Sequence, residues 1–78
     1  MDKRSELEFI IVNYLGYLKM NQTSYIKGDQ IIRIYYNEIE IIDGYDGYRK
    51  NILDGYNYIK YRYAKEIRSS KIRILINK

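Results

Sequence analysis

Cysteine, histidine, tryptophan and proline are all missing from this 78-residue chain, and alanine occurs once, at Ala64. Without cysteine there are no disulfides, no thiol nucleophile and no thiolate metal ligands. Without histidine the commonest general base and the other usual zinc ligand are absent as well. Most hydrolase and metalloenzyme classes are thereby excluded. Phosphate-cradle patterns of the G-x-x-x-x-G-K-[ST] or G-x-G-x-x-G type do not occur, nor do helix-turn-helix, RNP or zinc-finger patterns. Nothing approaches eighteen consecutive apolar residues, and no secretory leader pattern follows Met1. The chain therefore reads as complete, cytoplasmic and non-enzymatic, with no cofactor, no metal and no membrane; the missing cysteines fit a reducing cytosol.

Carboxylates remain as candidate chemistry. Glu38 and Glu40 fall on one strand face, with Asp43 and Asp46 soon after, and such oxygens suit Mg²⁺. An acidic pair at i, i+2 on a strand is more often a solvated face, so no metal is assigned.

Residues 1–78 make a single domain. Folding at this length buries only about 60–65% of the surface the unfolded chain exposes, and a homodimer or another partner would enlarge a small core. Ile (15), Tyr (11), Lys (8) and Asn (6), all with A/T-rich codons, supply 40 of the 78 residues. A genome low in G+C would enrich tyrosine unaided, so position carries more weight than number.

Charge is segregated. Residues 1–46 hold five bases and eight acids (−3), whereas residues 47–78 hold nine and two (+7), which sums to the net +4. The basic half opens within Tyr45 to Arg68, which contains six of the eleven tyrosines. As a helix, this stretch aligns Tyr48, Ile52, Tyr56, Ile59, Tyr63 and Ile67 in one stripe at a period near 3.6. Lys50, Tyr58, Tyr61, Lys65 and Arg68 fall opposite, with Arg62 on the flank. Gly55 argues against a helix, at about 1 kcal/mol relative to Ala. The competing reading is a strand over residues 56–63. The helix is preferred because its stripe runs for five turns, while the alternation fails at Lys65 and Glu66.

Earlier in the chain, Ser5 and Glu8 fit a capping box. The helix it opens carries Leu7, Ile10, Ile11, Tyr14 and Leu18 on one stripe and is expected to reach Lys19 or Met20. Phe9 and Val12 fall off that stripe and form a candidate dimer face. Strands are expected at Ser24 to Ile26, Gln30 to Tyr36 and Ile39 to Ile42, with turns at Lys27-Gly28-Asp29, Asn37-Glu38 and the repeated Asp-Gly pairs. KIRILIN, residues 71–77, alternates as a final half-buried strand. The order α-β-β-(β)-α-β is that of a small two-layer α+β domain with helices on one face of an antiparallel sheet; a mostly β fold with one N-terminal helix is the alternative.

In size, codon bias and lack of motifs the chain resembles small phage or mobile-element proteins that disable a host machine, among them inhibitors of CRISPR nucleases. That likeness of general profile implies a stoichiometric protein binder. Lys50, Tyr58, Tyr61, Arg62, Lys65 and Arg68, with Lys71 and Arg73 beside them, are the candidate binding surface. Tyr and Arg suit a protein hot spot, for instance on a nuclease. The same residues suit the alternative, direct DNA or RNA binding, through phosphate pairing and base stacking.

Overall fold

The computed structural model describes residues 2–76. A short helix, α1 (Lys3–Phe9), runs into a π-turn (Ile10–Tyr14). Five strands follow, β1 (Leu18–Lys19), β2 (Ser24–Lys27), β3 (Gln30–Ile34), β4 (Glu38–Asp43) and β5 (Asp46–Asn51), and two helices, α2 (Ile52–Arg62) and α3 (Ala64–Ile76), complete the chain. The strands pair in chain order as one antiparallel meander. The small α+β domain expected from the sequence is what forms, with two more strands and a different end.

Register divides the sheet into two faces. Arg33 pairs with Glu40 and Glu40 with Arg49, whereas Ile32 pairs with Ile41 on the opposite side of the pleat. Side chains alternate along a strand, so Tyr25, Ile32, Ile34, Ile39 and Ile41 all face the helices and are buried there. Leu7, Ile10, Ile11, Leu15, Tyr56, Ile59 and Ile67 close the core from above. On the open face Leu18, Ile26, Ile31 and Ile42 form a cross-strand apolar row. Tight turns join the hairpins: Gly28 and Gly44 take φ of +59° and +64° at the first central position, where two-residue loops of the II′ kind need glycine.

The first helix is capped by Asp2, whose carboxylate accepts from the Ser5 N–H at 2.7 Å, not by Ser5. It also stops well short of Lys19. Leu15 N–H donates to the Ile10 carbonyl at 3.0 Å, five residues back, which inserts the π-turn. The extra residue lets Ile10, Ile11 and Leu15 all enter the core. Gly16, at φ +80°, then reverses the chain, and Leu18 becomes an exposed residue of β1.

The Tyr45 to Arg68 helix is corrected at its start. Residues 46–51 are β5, and Asn51 caps α2 by accepting from the Asp54 N–H at 2.8 Å. From Ile52 onward the apolar stripe faces inward, so residues 56–62 are helix and not strand. Gly55 is required for proximity: a Cβ there would collide with the Ile39 side chain, and its absence lets α2 settle on β4.

The final strand is also corrected. Residues 71–76 are the end of α3; Asn77 lies outside the described residues. Tyr63 breaks the helix briefly, but its carbonyl accepts from the Ile67 N–H at 2.9 Å, so α3 grows from an existing nucleus, one bond per residue. Ile67, Ser70 and Ile74 share one helical side under this geometry, and that side packs on the π-turn.

Candidate binding surface

Along α3, apolar character and burial part company. Only Ile67 and Ser70 are buried in this helix, and every described residue from Lys71 onward is exposed. At 100° per residue, Ile72, Leu75 and Ile76 lie on one strip outside the packed side of α3, and they are 52%, 70% and 75% exposed. A helix apolar on both sides is normally buried. Beside this strip Phe9, 46% exposed, meets Tyr14 edge-on with ring centroids 5.3 Å apart. Phe9, Tyr14, Ile74 and Leu75 line an apolar groove of about 380 Å³, with Lys71 at its edge. Phe9 also lines a second groove, together with Val12, Glu8 and Lys19, so it stands between the end of α3 and Val12.

The charge split of the sequence becomes a spatial one. Glu6, Glu8, Glu38 and Glu40 pair with Lys3, Lys19, Arg33 and Arg49. Glu38 and Glu40, the candidate Mg²⁺ ligands, are therefore held by arginines: Arg49 reaches both, at 3.0 and 3.5 Å, and Arg33 reaches Glu40 at 3.2 Å. Among the described residues no three acids converge on a metal position. Lys65, Arg68, Lys71 and Arg73 have no carboxylate within 4 Å among those residues, so α3 carries four bases outside any ion pair against one acid, Glu66.

The residues nominated from sequence do not form one helical face. Lys50 belongs to β5 and sits 5.1 Å from the centre of the Tyr58 ring. Tyr58 and Tyr48 share a 2.8 Å hydrogen bond between hydroxyls and pack edge-to-face. That bond, helped by desolvation, pushes the Tyr48 hydroxyl up to about 12. The Tyr58 ring is consequently half-buried and engaged, not an open stacking platform. Tyr61 is open, at 88% exposure on the outer side of α2, and Arg62 lies 5.4 Å from the Tyr63 ring centre. Lys65, Arg68, Lys71 and Arg73 are brought together on α3.

A cleft of about 520 Å³ opens on one flank of α3, where Lys65, Ser69 and Arg73 face the end of the π-turn and Lys27. The π-turn positions this cleft, because its free carbonyls need donors. Leu15 accepts from Lys27 Nζ at 2.7 Å and Tyr14 from Ser70 Oγ at 2.6 Å. Sequence reasoning missed Lys27, and it missed Ile72, Leu75 and Ile76 because their period-two alternation with Ile74 masks an i, i+3, i+4 spacing.

No protein-family model matches this chain, and neither a curated protein nor a solved structure matches it. No helix of the described residues is long and apolar enough to cross a membrane.

Proposed function

We propose that this is a small non-enzymatic binding protein, of phage or mobile-element type, that inhibits or modulates a nucleic-acid-handling machine in stoichiometric complex. It docks by laying the end of α3 into an apolar groove on that protein. The observation that carries this reading is the exposed strip of Ile72, Leu75 and Ile76, flanked on the helix by Lys71 and Arg73 and continued one turn earlier by Arg68. Anchors at i, i+3 and i+4 are how an amphipathic helix enters a groove. The bordering bases select a groove with an acidic rim, such as the carboxylate-rich surroundings of a metal-dependent nuclease. Net charge works against self-pairing along this strip, because two copies of α3 would set four bases against four. A hetero-partner is therefore favoured over the homodimer that Phe9 and Val12 suggest.

The reading is tested by affinity capture from the host with the wild-type chain and with Ile72→Asp/Leu75→Asp, followed by titration into the captured activity. A nucleic-acid enzyme retained by the wild type alone, and silenced at equimolar protein, is the expected result. Recovery of no such enzyme, or equal recovery by the double variant, would overturn it.

A further inference from the structure

We infer that the cleft between α3 and the π-turn is a binding site for the phosphodiester backbone of single-stranded nucleic acid. Three cations converge on it from two parts of the fold. Lys65, Ser69 and Arg73 recur at i, i+4 and i+8, so they form one row along the helix, about 12 Å from end to end. Lys27, at the end of β2, faces that row across the cleft. Its ammonium is already oriented by the Leu15 carbonyl at 2.7 Å, which leaves two of its three N–H donors for a ligand. A lysine fixed in this way gives up less freedom on binding than one swinging in solvent.

The ligand class follows from charge and shape. Lys27, Lys65 and Arg73 outnumber the single acid of the lining, Glu66, and none of the three has a carboxylate within 4 Å among the described residues. The roughly 3.4 Å per phosphate on one strand is a rise along the B-DNA axis, and neighbouring phosphates of an extended strand lie about twice as far apart, so a row of about 12 Å spans two neighbouring phosphates and not one isolated ion. A flexible single strand can follow the angle between α3 and the π-turn, whereas a duplex, stiff over about 150 bp, does not bend into it. The Ser69 hydroxyl, between the two helical cations, donates to a phosphate oxygen. Glu66 opposes the ligand and limits affinity. The site does not depend on a protein partner, so it is testable on the isolated chain.

The experiment is anisotropy of a short labelled oligothymidylate titrated with the protein at several salt concentrations, with duplex DNA and inorganic pyrophosphate as competitors. Single-strand binding that weakens steeply with salt is expected. Lys27→Gln, Lys65→Gln and Arg73→Gln should each lower the salt slope by about 0.7 and weaken binding several-fold. Glu66→Gln should tighten it, and Lys3→Gln, on α1 and outside the lining of the cleft, should leave it unchanged. Lys27→Gln also removes a structural bond, so the decisive variant is Arg73→Gln, checked for an unaltered melting midpoint. No binding at low salt overturns the inference. So does tighter binding of duplex, pyrophosphate binding without oligonucleotide binding, or an equal loss in Lys3→Gln and Arg73→Gln.

Discussion

Ser70 donates its hydroxyl to the backbone carbonyl of Tyr14 at 2.6 Å, tying the last helix to the end of the π-turn across 56 residues of sequence. With Ile67 it is one of the two buried residues of α3. Ser70→Ala leaves a part-buried carbonyl without its donor, a loss of about 1–3 kcal/mol. The effect should be local first: amide hydrogen exchange should speed up along residues 64–76 before the sheet is affected. Unchanged exchange in α3 would show that Ile67 alone holds the helix.

Gly55 lies against the Ile39 side chain where α2 meets β4. Helix propensity alone favours Gly55→Ala by about 1 kcal/mol. Against this, the added methyl would occupy space already filled by the Ile39 side chain, and overpacking a core costs about 1–3 kcal/mol. The variant should therefore be destabilised in denaturant unfolding. Combining it with Ile39→Ala should cost less than the two single losses added together, because the cavity left by one accepts the other. Strict additivity would mean that the two positions are not in contact.

How far the sequence discloses this fold depends on the range of the deciding interaction. The strand faces were readable, since Ile32 and Ile34 against Ile31 and Arg33 is a period-two signal confined to one segment. The inward stripe of Ile52, Tyr56, Ile59 and Ile67 was readable for the same reason. The π-turn was not: it depends on three positions competing for one core, and nothing local marks the extra residue. Asp2 outcompeted Ser5 as cap by one turn, although both are good cap residues. The fate of residues 71–76 was misread because alternating isoleucines satisfy a strand pattern, while continuation from α2 supplies the helix with a nucleus that no neighbouring strand offers. For the binding surface, the bases of α3 were legible as charge. Lys27 was not, since only the folded chain brings the end of β2 to that helix.

Three tyrosines make the fold sensitive to alkali. Burial raises the hydroxyls of Tyr17 and Tyr25, the latter to about 12, and the Tyr58 hydrogen bond raises Tyr48 to about 12. In the unfolded chain tyrosine ionises near pH 10. A folded-state value above the unfolded one means that the stabilisation is complete below about pH 10 and is lost as pH rises through about 12. Unfolding free energy should thus fall across that window, with tyrosinate absorbance appearing in step with unfolding. Tyr58→Phe removes the bond to Tyr48 and should bring part of that absorbance to lower pH. Stability that stays flat to pH 12 would contradict the assignment.

Exposed and buried apolar residues of the two C-terminal helices should respond oppositely to substitution. Leu75 and Ile76 contribute little to folding, because they are largely in solvent already, so Leu75→Gln/Ile76→Gln should leave the unfolding free energy within the roughly 0.5 kcal/mol expected of surface changes. The same change should reduce binding of a hydrophobic dye, since it removes most of the apolar strip. Ile59, fully buried on α2, is the contrast: Ile59→Ala should cost about 2–5 kcal/mol and increase dye binding as the core loosens. If the Leu75 and Ile76 changes destabilised the monomer by a comparable amount, the strip would be part of the fold, and the surface assigned to a partner would have to be sought elsewhere on the chain.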